Sequence, residues 1–298
     1  MRSNVRASMR TGRICGSMME EKRRGTHEGV HGKLAVPDAV IGAVTGDIVG
    51  SVYEFHNIKR TDFPFWSDGS RFTDDTVMTI AVYSALKEYI SGGRQGDLHP
   101  ILIRKMKEIG RRYPDCGYGG RFIKWIAGED DGPYNSYGNG SAMRVSAAGA
   151  LARSVQEAGE LGKISAEVTH DHPEGIKGAV AVAEAVFMAG HGYDKAEIRQ
   201  AMKNLYSLDL TLDEIRPHYR FDVSCQGSVP QALEVFLESR GFEDCVRLAV
   251  SIGGDSDTIA AMAGSIAGAY YGIPEDIKAQ AMSHLDRYLI SLLTGESR

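Results

Sequence analysis

The sequence predicts an all-α protein, a single compact multi-helix domain, and three observations carry that expectation. Apolar residues recur at three- and four-residue steps along most of the chain, alternating strand patterns are scarce, and the glycine-rich connections are too short to separate two domains. With 298 residues, 43% of them hydrophobic and 24% charged, the chain has material for a substantial core.

Residues 1–36 carry eight Lys/Arg against three Glu and lack the continuous apolar run of a secretory signal. They are expected to form a disordered basic N-terminal extension, with the folded domain over residues 37–298. The rest of the chain holds 26 basic against 36 acidic residues, which makes nucleic acid a poor partner. No apolar stretch approaches the roughly 20 residues needed to cross a bilayer, so no membrane partner is expected. Cys15, Cys116, Cys225 and Cys245 are scattered with neither a CxxC pair nor zinc spacing, a usage suited to a reducing cytoplasm. A monomer is the default state.

The first helix is expected from Pro37, which suits a helix start, through Val40, Ile41, Val44, Ile48, Val49 and Val52. Gly42, Gly46 and Gly50 form a stripe along it, and Gly264, Gly268 and Gly272 form another near the end of the chain. Each glycine costs a helix about 1 kcal/mol relative to alanine, so a stripe implies close approach of another backbone. An antiparallel pairing with Gly50 opposite Gly264 would carry Glu54 towards Asp255. Further helices are expected over residues 76–89, 99–112, 142–158, 173–189, 195–205, 230–238, 242–251 and 258–271.

Two of these helices start on acidic clusters. Thr73 can cap the run that Asp74 and Asp75 open, and Asp255 can do the same for Asp257 and Thr258. Negative charge suits a helix start, and simple capping explains either cluster alone. A cap needs only one side-chain oxygen, however, so the additional acids require another account. Thr73, Asp74, Asp75, Asp255, Asp257 and Thr258 would together make an all-oxygen site of the kind that Mg²⁺ or Mn²⁺ prefers over zinc. Four carboxylates in one pocket need such countercharge, and two ions there could bind a water and orient a diol. Glu54, ahead of a loop with Phe55, Phe63, Phe65 and Trp66, is the natural mobile carboxylate; a surface glutamate is the plainer reading. Residues 255–258 also satisfy DxDxT, a phosphatase nucleophile motif, but only 40 residues follow, too few for the rest of that fold.

With TDDT early, YGNGSAMR in the middle and GGDSDTIAAMAGSIAGAYYG late, the chain resembles the ADP-ribosylglycohydrolase family, relatives of the dinitrogenase reductase-activating glycohydrolase. The resemblance covers residues 38–277 and implies a helical fold and a glycosidic-bond hydrolase using two Mg²⁺ or Mn²⁺ ions. The partner it implies is an ADP-ribosylated protein or a small ADP-ribose conjugate. By this resemblance Thr73, Asp74, Asp75, Asp255, Asp257 and Thr258 are the metal ligands, and Glu54, with Asp74 and Asp75, is catalytic. Ser136, Tyr137, Gly138, Asn139 and Gly140 surround ADP-ribose, and His170 contacts it.

The glycine-rich segment beside a helix start is a reasonable diphosphate cradle, although a tight interhelical turn reads equally well without the resemblance. CGYGG, with Gly119, is a second backbone wall. His170 and His172 in THDHPEG are better read as a hydrogen-bonded helix entry than as a transition-metal pair, and Cys225 is given no catalytic role. In the expected mechanism the ribose gains oxocarbenium-like charge while Glu54 handles a proton. The competing expectations are a module that holds ADP-ribose without cleaving it and, further off, the DxDxT phosphatase.

Overall fold

Twelve consecutive residues of the first helix, Ala39 to Gly50, are buried, so the chain enters its own core at once. The computed structural model describes residues 35–128 and 130–295, and the basic extension expected over residues 1–36 falls almost wholly outside that range. From Ala35 onward the chain forms one compact unit. Its helices are α1 (Asp38–Gly50), α2 (Asp74–Ser91), α3 (His99–Gly110), α4 (Gly120–Ala127), α5 (Gly140–Met143), α6 (Ser146–Leu151), α7 (Val155–Glu167) and α8 (Pro173–Gly190). There follow α9 (Lys195–Met202), α10 (Leu212–Ile215), α11 (Cys225–Glu238), α12 (Phe242–Ser251), α13 (Ser256–Tyr271), α14 (Glu275–Ser283) and α15 (Arg287–Thr294). Among the described residues the only extended pairing is an isolated bridge between Gly138 and Ser224. None of these helices is long and apolar enough to cross a membrane.

The centre of the molecule is the antiparallel pair α1 and α13, with α8, α11 and α12 packed around α13. Both helices are buried on nearly all sides, and apart from a few polar residues they are apolar all round. The two glycine stripes do meet, but in a register displaced by two turns from the expected one. A methyl group on Gly42 would strike the Gly264 carbonyl, one on Gly46 the Ala260 carbonyl, and one on Gly50 the backbone of Asp257. Gly268 in turn faces Asp38. Gly272 does not belong to the stripe; it ends α13 with φ +71°. The observed register overlaps the whole buried length of α1 with α13, whereas Gly50 against Gly264 would have left half of each apolar surface unpaired.

The helix expected over 142–158 is three: α5, α6 and the start of α7. Ser154 accepts a hydrogen bond from the Glu157 N–H and so opens a new helix, which terminates the earlier run. The helix expected from residue 230 begins at Cys225, because the Ser224 side chain caps it and Pro230 is carried inside. His172 caps α8 by accepting from the Glu174 N–H, the helix-entry role expected of it. α4, α10, α14 and α15 are short helices outside the expected set.

Candidate active site

The displaced register of α1 and α13 has a direct chemical consequence, because it brings the start of α13 beside the end of α1 and the start of α2. Carboxylate oxygens of Asp47, Asp75 and Asp257 lie within 4.8 Å of one another, as do those of Glu54, Asp255 and Asp257. Asp47, Asp75, Asp255 and Asp257 are all 5% exposed or less. Thr73 sits one layer beneath: its hydroxyl donates to Asp47 Oδ1 at 2.7 Å, and Asp47 Oδ2 accepts from the backbone N–H groups of Thr73 at 2.9 Å and Thr76 at 3.0 Å. Thr258 donates to Asp75 Oδ2 at 3.1 Å, and Asn139 Nδ2 donates to Asp255 Oδ2 at 2.7 Å.

Desolvation raises every acid in this group, and for all but Asp47 neighbouring carboxylates add to it. Asp75 and Asp257 are driven well above the usual carboxylate range, Asp47 and Asp255 are raised, Asp74 reaches about 8 and Glu54 about 7. A cluster that must otherwise hold protons is one in which cations replace protons favourably. Asp75 Oδ1 is buried and accepts no hydrogen bond, so its lone pairs are unused. Both threonine hydroxyls spend their protons on carboxylates; Thr73 Oγ1 also accepts from the Asp75 N–H at 3.3 Å, which leaves it one lone pair for a cation. The donor set is therefore hard oxygen throughout, and it fits a divalent cation such as Mg²⁺ or Mn²⁺.

All of these acids except Asp47 line a cleft of about 330 Å³. Its walls include Glu54, Asp74, Asp75, Gly119, Ser136, Gly138, Asn139, Gly140, His170, Asp255, Asp257 and Thr258. The segment 134–141 is held by backbone bonds to residues 223–225, with the Asn139 N–H donating to the Val223 carbonyl at 2.8 Å and the Cys225 N–H donating to the Tyr137 carbonyl at 2.9 Å, and by the Tyr134 N–H donating to the Thr169 carbonyl at 3.3 Å. Cβ atoms on Gly138 and Gly140 would lie 3.6 and 3.4 Å from His170 Nε2, so glycine keeps this wall open to a ligand. α5 behind it has four residues, too short for an appreciable macrodipole, so open backbone and the His170 ring are what the cradle offers an anion. Tyr137 points elsewhere: it is 51% exposed, lies edge-on to His172 and lines a neighbouring groove.

A family model described as ADP-ribosylglycohydrolase matches residues 35–295. The chain belongs to the ADP-ribosylglycohydrolase family. It is similar to the ADP-ribosylhydrolase ARH3 of Mus musculus, 26% identical with 78% of this chain and 83% of the relative covered. It is also similar to the ADP-ribosylarginine hydrolase Tri1 of Pseudomonas putida, 27% identical with 82% and 74% covered. Among solved structures, an ADP-ribosylglycohydrolase-related protein complex shares the fold with a TM-score of 0.59 at 23% identity, covering 83% of this chain and 95% of that one. Membership makes the protein a glycohydrolase enzyme.

The cleft and the acidic cluster of this ADP-ribosylglycohydrolase also contain residues that no sequence motif singles out. Asp47 is the clearest: it is the lone charge in the apolar run 39–53, and an acid on a fully buried helix demands partners. Asn57 grips Gly254 from both sides, with Nδ2 donating to its carbonyl at 2.9 Å and Oδ1 accepting from its N–H at 2.7 Å. It thereby ties the Glu54 loop to the start of α13. Arg121, Phe122, Tyr134, Arg144 and Val223 also line the cleft, and only proximity in space reveals them. Cys225 lies under the cradle, its thiol donating to the Gly138 carbonyl at 3.1 Å and pushed up by burial to about 12.

Proposed function

We propose that the protein hydrolyses the N- or O-glycosidic bond between ADP-ribose and a modified amino-acid side chain, or a small ADP-ribose conjugate, with two Mg²⁺ or Mn²⁺ ions as cofactors. One observation carries the reading: Glu54 and the acids at the starts of α2 and α13 converge in a cleft that is also lined by open glycine backbone beside His170.

Thr73, Asp74, Asp75, Asp255, Asp257 and Thr258 would hold the cations. When bound, the cations supply the positive charge that orients the ribose diol and offsets charge developing in the reaction. The chain's own residues do the rest. Open backbone at residues 138–140 takes the diphosphate, and the cleft walls fix the sugar relative to Glu54, which lowers the entropic part of the barrier. Glu54 is half-buried on a loop fastened by Asn57, and its elevation to about 7, chiefly by desolvation, lets it hold or release a proton near neutrality. It is suited to taking a proton from the attacking water or delivering one to the departing side chain. Action as a cytoplasmic monomer on ADP-ribosylated proteins completes the proposal.

The test is release of free ADP-ribose from arginine-linked, serine-linked and small-molecule conjugates, with Mg²⁺ or Mn²⁺ and then with excess EDTA. Release that stops with chelator is expected. Undiminished release in EDTA would overturn the cation role, binding without release would favour a binding module, and liberated inorganic phosphate would favour a phosphatase.

A further inference from the structure

Arg144 is the largest of the fully buried side chains, 1% exposed, and among the described residues it makes no ion pair with a carboxylate. Arg144 lines the cleft, and its guanidinium rests 5.9 Å from the Phe122 ring centroid. Nη2 donates to the Ser165 carbonyl at 2.6 Å and to Thr169 Oγ1 at 2.9 Å. Thr169 Oγ1 lies 2.7 Å from His170 Nδ1.

The direction of this chain of bonds follows from the donor inventory. A guanidinium only donates, so the Thr169 oxygen accepts from it. The threonine hydroxyl has one proton, and His170 Nδ1 is the acceptor within reach. Were Nδ1 protonated, it would donate to Thr169, and the threonine, 0% exposed, would be left with a buried proton and nowhere to place it. The imidazole is therefore an acceptor at Nδ1 and carries its proton at Nε2.

We infer that Arg144 acts through Thr169 to lock His170 as the neutral Nε2–H tautomer, making it a fixed hydrogen-bond donor aimed at the anion cradle of Gly138 and Gly140. The geometry at the far nitrogen agrees: Nε2 borders both places where a side chain would otherwise begin, 3.4 Å from that at Gly140 and 3.6 Å from that at Gly138. Burial, with the Arg144 charge adding to it, holds the ring well below the usual histidine range, so it stays neutral. A phosphate oxygen only accepts, and a histidine in the other tautomer would turn a lone pair towards it. Arg144 and Thr169 are thus positioning residues whose effect on substrate passes through His170. Identification of the ligand as the diphosphate of ADP-ribose rests on the function proposed above; the tautomer does not.

The test joins a spectroscopic and a binding measurement on the full chain. Long-range ¹H–¹⁵N correlation, with the His170 signals assigned by their loss in His170→Gln, should show the Nε2–H tautomer in the wild type. Thr169→Val should populate the Nδ1–H form and weaken calorimetric binding of ADP-ribose about tenfold, the loss of one hydrogen bond to a charged group. Thr169→Ser should restore both, and Arg144→Lys, which keeps the charge but not the fork, should loosen the tautomer. A wild-type Nδ1–H form, or a tautomer unchanged in Thr169→Val, would overturn the relay. The expected tautomers with no ADP-ribose binding by the wild type would leave the relay standing and sink the ADP-ribose reading instead.

Discussion

Asp257 accepts from the Thr258 N–H at 2.9 Å, is almost fully buried, and faces Asp255, Asp75, Glu54 and Asp47. Such a residue is costly to folding in the absence of a cation, because desolvation opposes its charge and so do its neighbours. Replacing it with a neutral isostere should separate folding from chemistry. Asp257→Asn and Asp74→Asn are expected to unfold in chelator at or above the wild-type temperature, while ADP-ribose release falls at least about a hundredfold, since the several kcal/mol a metal site supplies convert to that factor. Thermal unfolding and the release assay check the two halves, and retained activity would remove these acids from the ligand set. Asp47 should behave differently. Its oxygens satisfy two backbone N–H groups and the Thr73 hydroxyl, so Asp47→Ala should cost about 2 kcal/mol or more in denaturant unfolding, from buried donors left without partners.

At the scale of elements, the site depends on how closely α1 and α13 approach. Alanine at position 46 gains about 1 kcal/mol of helix propensity but drives a methyl into the Ala260 carbonyl, and neither backbone can yield inside a packed core. Gly46→Ala should therefore lose about 3 kcal/mol or more in chemical denaturation, with catalysis falling as α13 shifts. Gly120→Ala, where a Cβ meets open space at the start of α4, should be neutral or slightly stabilising. The loop bearing Glu54 offers a contrast. Asn57→Ala releases it from Gly254, so kcat should fall with little change in unfolding temperature. The stripes themselves were legible because glycines repeated on one helical face signal contact, although Gly272 ends α13 and is not part of its stripe. Their register was not, because stripes spaced by four are compatible with pairings displaced by whole turns.

For the whole molecule, the acids dictate how stability follows pH. In the cation-free protein Glu54 titrates at about 7 and Asp74 at about 8, against ordinary values of 4.5 and 3.8. Between those limits the folded chain holds protons that the unfolded chain has lost, so stability is fully present below the ordinary values and is lost as pH rises through 7 and 8. The unfolding temperature in EDTA should decline from about pH 5 to about pH 8, and saturating Mn²⁺ should flatten that decline by taking the place of the protons. A cation-free stability that rises over this interval would show that the carboxylates do not carry elevated affinities for protons.

By itself the sequence determined the helical class, the two acidic helix starts, the glycine wall and the family to which they belong, because each is a local pattern of residue types with its own physical cause. It carried Thr73, Asp74, Asp75, Asp255, Asp257 and Thr258 as a set, and Glu54 beside them. Tertiary structure alone decided that Asp47 joins the acids, that Thr73 lies beneath them, that Tyr137 faces away, and that Arg144 and Thr169 stand behind His170. Those facts depend on which side chains converge across α1, α2, α7, α8 and α13. Convergence is set by the backbone approach and register of buried helices, and no residue type at a given spacing encodes it.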